Sequence, residues 1–217
     1  MTSRLLTVVL LAALGWGSFE LIPRLASYRF PGNQQGYAPE QPVAFSHRMH
    51  AGDLQIACLY CHSGAEKGRH AGIPATSICM NCHRLVSASW ETTSREFLEA
   101  LRTNQPPKRI VSPEMQKLYD SLGLDAQLQP DLARTAHAIP WVKVHNLPAY
   151  ACFDHHAHMN AGVKCQHCHG PVETMDRIRQ VEDLSMGWCV DCHRNPERAG
   201  LTGNSTRPST DCAVCHY

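Results

Sequence analysis

The chain has 217 residues, and 20 Lys and Arg against 19 Asp and Glu leave a formal net charge of +1. That balance provides no basic footprint for nucleic acid and no charge excess to recruit an acidic partner. Eleven Cys and 14 His are abnormal for a cytosolic domain, so their spacing has to decide between disulfides, zinc and another chemistry.

Met1 to Arg4 is short and basic, and Leu5 to Ile22 is apolar apart from Thr7, Ser18 and Glu20. As a helix that stretch is about 27 Å long, close to the ~30 Å hydrocarbon core of a bilayer. The run ends in Gly15-Trp16-Gly17-Ser18-Phe19, with no small-residue cleavage site. Residues 1–30 are therefore expected to form an uncleaved signal anchor, a single transmembrane helix in membrane lipid. Arg4 is expected in the cytoplasm, Trp16 and Phe19 toward the outer interface, and Arg24 and Arg29 beyond it. The remainder is then exported to the periplasmic side of the cytoplasmic (inner) membrane. Residues 31–44 are rich in Pro, Gly and Gln and read as an extended linker.

A duplicated pattern follows. Phe45-Ser46-His47-Arg48-Met49-His50-Ala51-Gly52 leads to a C-x-x-C-H motif at Cys58, Cys61 and His62. Phe153-Asp154-His155-His156-Ala157-His158, then Ala161-Gly162, leads to a motif at Cys165, Cys168 and His169. His47 precedes His62 by 15 residues and His155 precedes His169 by 14. Each copy then adds a second motif, Cys79, Cys82 and His83 or Cys189, Cys192 and His193, and a fifth follows at Cys212, Cys215 and His216. The pattern predicts a first two-motif module over 45–88 and a second, with the appended fifth motif, over 141–217. Residues 89–140 between them read as a helical connector. Ser89 to Leu101 carries Trp90, Phe97, Leu98 and Leu101. Ser112-Pro113-Glu114 is a helix start followed by Met115, Leu118, Tyr119 and Leu122. Both helices are expected to pack, covering a cofactor face or a partner, and Trp141 to Val144 to run extended.

Two Cys at this spacing form thioethers to the vinyl groups of one porphyrin, and the adjacent His is carried under the ring to the iron. Zinc and disulfides make no demand on the residue after the second Cys. Five such His by chance is a roughly one-in-a-million event at this His content. The motifs therefore predict five covalently bound haem c groups. Nine His remain: His47, His50, His70, His137, His145, His155, His156, His158 and His167. A low-spin electron-transfer haem takes a second axial ligand, which closes the iron to substrate. His47, His50, His155 and His158 occupy matching places in the repeat and rank first as iron ligands, with His145 fifth. Met186, Met49, Met80, Met159 and Met175 lie near motifs, and a Met ligand would raise one potential, although packing is the ordinary role of each. Cys152 is left as a small buried apolar group. Residues 31–217 offer about 37 residues per motif, too thin for an ordinary apolar core. The expected fold is a multihaem cytochrome c, mainly α with much irregular loop and a haem-dominated core.

Ala44-Phe45-Ser46-His47-x-x-His50, Cys79-Met80-Asn81-Cys82-His83 and Trp141-Val142-Lys143-Val144-His145-Asn146-Leu147-Pro148 are specific in combination. So are Leu184-x-Met186-Gly187-Trp188-Cys189-x-x-Cys192-His193-Arg194 and Asp211-Cys212-x-x-Cys215-His216. Over residues 40–217 they resemble the pentahaem cytochrome c subunit of bacterial alternative complex III, and more distantly cytochromes of the c7 type. The resemblance implies a redox subunit, no enzyme by itself, that relays electrons from quinol oxidation to a periplasmic cytochrome c or terminal oxidase. Its implied partners are an integral-membrane quinol-binding subunit, an iron–sulfur/molybdopterin-like subunit, a monohaem cytochrome c and that oxidase. The implied distal ligands are His47, His50, His145, His155 and His158, with Met possible at one haem. The competing functions are the same role in a related molybdopterin or polysulfide-reductase-like complex, a stand-alone multihaem reductase, and a four-haem-type quinol dehydrogenase.

Overall fold

The computed structural model describes residues 2–27, 34–201 and 208–216. Thr2–Ser27 forms one 26-residue helix, α1. Its side chains are described from 6 to 21, and every one is exposed. Among the described residues no helix is long and apolar enough to cross a membrane. The side chains of Arg4 and Arg24, and residues 28–33 with Arg29 and the start of the linker, lie outside the described residues.

Past the linker the described helices are short: α2 (Cys58–Cys61), α3 (Thr76–His83), α4 (Trp90–Thr103), α5 (Pro113–Ser121), α6 (His155–Asn160), α7 (Gln166–His169), α8 (Met186–Arg194) and α9 (Cys212–Cys215). Among the described residues there is no strand, only isolated bridges between Leu124 and Pro130 and between Ala151 and His216. The described part of the linker, from residue 34, is irregular, and it is packed. Gln180 is wholly buried, and its N–H and C=O pair with Tyr37 and Gly36. Gln41 brackets Val142 with both ends of its side-chain amide, standing in for a strand neighbour.

α5 begins as its sequence requires. Ser112 accepts from the Met115 N–H and Pro113 occupies the first turn, where a missing N–H costs nothing. Its inward residues Leu118 and Tyr119 join Val43 and Ile139 in a small core that also touches Cys79 and Met80 of α3. The Tyr119 hydroxyl donates to the carbonyl of His83 at 2.7 Å and accepts from Arg109. The connector therefore holds the second motif in place. α4 is capped at both ends, by Ser89 and by Asn104 in a left-handed conformation. Its apolar stripe is not packed against the rest of the described chain. Ala100 is buried, whereas Trp90 is 85 % exposed and Phe97, Leu98 and Leu101 are also exposed.

The two modules grip each other reciprocally. The π-helical turn Arg48–Asp53 packs on the 3-10 turn Val172–Thr174 that follows the third motif. There the Arg48 N–H donates to Met175, and the side chains of Ser46 and Arg48 bind Asp176. In the mirrored contact α6 packs on Ser63–Glu66 after the first motif, and the N–H groups of His155 and His156 donate to Arg69 and Gly68. The two repeat glycines serve different needs. Gly162 has φ +82, open mainly to glycine, whereas a Cβ on Gly52 would stand 2.3 Å from the carbonyl oxygen of Glu173. Gly52→Ala is expected to cost about 1–3 kcal/mol and lower the Tm of the haem-loaded protein by about 2–10 °C. Gly68→Ala, where a Cβ meets nothing within 4 Å, leaves the Tm unchanged; thermal circular dichroism of the pair checks both.

Candidate haem-binding site

Each motif sits on a helical turn. Cysteines three apart face the same side of a helix, and the following His begins the next turn on that side. The N–H groups of His62, His169 and His216 close onto the carbonyls of Cys58, Cys165 and Cys212 at 2.9, 3.0 and 2.9 Å. Ser185 and Asp211 cap α8 and α9 through the N–H groups of Trp188 and Ala213. None of the eleven cysteines is in a disulfide. Among the described residues no group of three or more His, Cys, Asp or Glu is placed to hold a metal ion directly.

The histidines separate by which ring nitrogen is tied. Nδ1 of His62 lies 2.7 Å from the carbonyl of Gly72, that of His83 2.9 Å from Val86, and that of His193 2.7 Å from Ser209. His216 is tied to Tyr150 at 3.3 Å. The same tie recurs on His50 to Ser46 at 2.8 Å, His155 to Arg69 at 2.8 Å and His158 to Asp154 at 2.7 Å. A carbonyl only accepts, so Nδ1 carries the proton and Nε2 keeps its lone pair for a metal. His156 and His167 are the reverse. Their Nε2 atoms are engaged, by Asn160 and by the carbonyl of Arg198. His137 is tied at Nδ1 but lies exposed in the connector, and His70 is also exposed.

Ring positions repeat between the modules. Phe45 meets His47 edge-on at 4.9 Å and stacks on His50 at 4.3 Å; Phe153 does the same to His155 and His158 at 4.8 and 4.5 Å. His50 then stands 6.0 Å from His83, and His158 stands 6.0 Å from His193. Metal–nitrogen bonds of about 2 Å on both sides, plus about 1.2 Å from each nitrogen to its ring centre, place two trans imidazoles about 6 Å apart. Both pairs fit an iron between them.

A second cluster gathers His47, His62, His145, His155 and His169. His155 lies 6.4 Å from His169 with nearly parallel rings, again an iron-spanning distance. His145 sits closer, 4.4 Å from His169 and edge-on, with its Nε2 3.3 Å from Nδ1 of His169. Burial pushes His47 and His145 down to about 4 and His169 to about 3, and neighbouring imidazoles add to the effect. All three are therefore neutral near pH 7, the state that binds a metal. Nδ1 of His47 is buried without a partner, which costs about 1–3 kcal/mol until something binds it. Around His216 the ring in contact is Tyr150, at 5.8 Å. Met175 is buried against the Arg48 turn and Met186 is exposed. Cys152, half-buried, receives an Arg69 N–H at its Sγ and donates its own N–H to Cys215.

The donor set fits haem c: paired thiols beside a proximal imidazole, with further imidazoles presented through Nε2. Comparison with known proteins agrees. Residues 151–217, which hold the second Phe-x-His-x-x-His element and three motifs, match the family described as cytochrome c7 and related cytochrome c. Over 187 residues, 82 % of this chain and 77 % of the relative, the sequence is 29 % identical to the menaquinone reductase multiheme cytochrome c subunit of Nitratidesulfovibrio vulgaris strain Hildenborough. Among the described residues the chain is mainly helical with long loops, in keeping with its similarity to multihaem cytochromes c. His50→Ala or His158→Ala is expected to leave haem attachment intact while opening one iron to carbon monoxide, seen as a new band in the reduced-plus-CO difference spectrum. His156→Ala and His167→Ala leave that spectrum unchanged.

Proposed function

We propose that this chain is the pentahaem electron-relay subunit of a membrane complex that exchanges electrons with quinone. The observation that carries the reading is the pair of iron-spanning imidazole sets, His50 with His83 and His158 with His193. Imidazole on both faces of an iron leaves no position for substrate, which favours electron transfer over reduction of a nitrogen or sulfur oxide. When bound, each haem supplies a one-electron iron couple. The polypeptide does the rest. Cys58, Cys61, Cys79, Cys82, Cys165, Cys168, Cys189, Cys192, Cys212 and Cys215 would fasten the porphyrins, and His62, His83, His169, His193 and His216 would hold the irons from the adjacent position. His50 and His158 are the distal ligands of the second and fourth motifs. His47, His145 and His155 are the distal candidates clustered around the first and third. The backbone carbonyls that hold Nδ1–H fix ring orientation and raise the basicity of Nε2.

The resemblance to the pentahaem subunit of alternative complex III supports placing the chain in a quinol-oxidising complex. An integral-membrane quinol-binding subunit and an iron–sulfur/molybdopterin-like subunit would precede it, and a monohaem cytochrome c or terminal oxidase would follow. The menaquinone reductase relative supports a second reading, the same relay run toward the quinone pool. α1 is the proposed anchor. The support is the apolar run Leu5 to Ile22 in the sequence. The described side chains of α1, Leu6 to Leu21, cover only part of that run and do not by themselves meet the length and apolarity of a span. The haem domain would then lie on the periplasmic face.

Intact mass of the purified chain should exceed the polypeptide mass by five haems, and the reduced protein should bind little carbon monoxide. A bare polypeptide mass, or CO binding at most irons, would overturn the relay. With the complex isolated in detergent, rapid haem reduction by a menaquinol analogue under turnover with oxidised cytochrome c supports the quinol-oxidising direction. Oxidation of pre-reduced haems by a menaquinone analogue, without the reverse reaction under turnover, supports the other.

A further inference from the structure

We infer that the five attachment motifs form one unbranched row in the spatial order Cys79, Cys58, Cys165, Cys189, Cys212, so that the relay has two ends, at the second motif and at the fifth. The inference rests on the haem-relay reading and adds its route.

Four junctions define the row, each marked by residues inside or directly beside the paired cysteines. Between the second and first motifs, Asn81 donates to the Tyr60 hydroxyl at 2.8 Å, and both residues lie between the two cysteines of their own motif. The Cys79 and Cys61 thiols are electrostatic neighbours there. The first and third motifs meet through the reciprocal grip of the modules, where Arg48 and Asp176 close one side and His155 and Arg69 the other. Within that grip Gly52, six residues before Cys58, lies hard against the carbonyl of Glu173, five residues after Cys168.

At the third junction His167, between Cys165 and Cys168, bonds the carbonyl of Arg198 at 3.1 Å. The Arg198 guanidinium in turn holds Asp191, which lies between Cys189 and Cys192. At the fourth, Nδ1 of His193 donates to the carbonyl of Ser209, whose hydroxyl accepts the N–H of the α9 cap Asp211. Cys189 and Cys215 are neighbours across this joint.

Spatial order thus departs from chain order at one place. The second motif turns outward, because α3 packs on the connector core of Val43, Leu118 and Tyr119, while the first turns inward against the third. Inversion of the first two motifs places the two module openings back to back at the centre of the row.

Removing one charged redox centre shifts the potentials of its neighbours through their Coulomb interaction, which weakens with distance. Five variants, each with both cysteines of one motif replaced by Ala, test the route by potentiometric titration followed in visible absorption and electron paramagnetic resonance. Mass spectrometry confirms four haems in each. Cys79→Ala with Cys82→Ala, or Cys212→Ala with Cys215→Ala, should shift one remaining component. Loss of the first, third or fourth motif should shift two. A terminal variant that shifts two components, or a fourth-motif variant that shifts one, overturns the row in favour of a branched or closed cluster. If the interior variants fail to fold, the two terminal variants alone decide. A wild-type mass lacking five haems would instead defeat the relay reading itself.

Discussion

The tie between an imidazole Nδ1–H and a backbone carbonyl is the interaction on which the site depends, and it explains why so much of this chain is irregular. Regular helices and sheets consume carbonyls in their own ladders, whereas loop carbonyls are free to accept from side chains. Gly72, Arg69, Ser209 and Tyr150 offer theirs from outside any helix, to His62, His155, His193 and His216. Two more ties are local. Ser46 and Asp154 serve the histidines four residues on, so the same short turn recurs in both copies of the repeat. Each tie selects a tautomer, and the selected nitrogen faces the same way in every case. A longer helix or a sheet at these positions would satisfy the backbone and lose the aimed imidazole.

The polypeptide alone supplies little packing to hold this arrangement. Among the described residues nine apolar side chains are buried, and four of them form the single cluster around Tyr119. The contact between modules is mostly polar. Arg48 and Asp176 are about half exposed or more, and an ion pair of that kind contributes ~0–1 kcal/mol. More of the grip comes from backbone hydrogen bonds and from the close approach that Gly52 permits. Such a scaffold depends on covalently fastened cofactors for its remaining apolar contacts, consistent with a chain that commits two cysteines to every 37 residues or so.

Much of this was legible in the residues, and the limits have physical causes. The C-x-x-C-H spacing points to a proximal set without any structure, because thioether attachment would itself impose that spacing. The repeat singled out His47, His50, His155 and His158, since duplicated positions share an environment. What the residues do not carry is direction across space. The stripe of Trp90, Phe97, Leu98 and Leu101 is plain as a periodicity, but a period says that a helix has two faces and not which one turns inward. Ala100, small and unremarkable, marks the inward side. His145 was legible as a histidine beside a Pro turn. Its approach to Nδ1 of His169 comes from a contact 24 residues away. The linker looked free because Pro, Gly and Gln dominate it, yet Gln41 and Gln180 pin it through amide pairs that leave no hydrophobic trace.

A relay whose irons are closed on both faces has no intrinsic direction. Distal and proximal imidazoles exclude substrate equally at either end, so net flow follows the potentials and partners at the two termini, not the residues in between. The same arrangement of His50 with His83 and His158 with His193 would serve a complex that oxidises quinol and one that reduces menaquinone. That is compatible with a sequence that resembles the first kind in its motifs and is 29 % identical over 187 residues to a subunit of the second. The ends, where α3 meets the connector core and α9 bridges Ala151, are where complexes of opposite direction would have to differ.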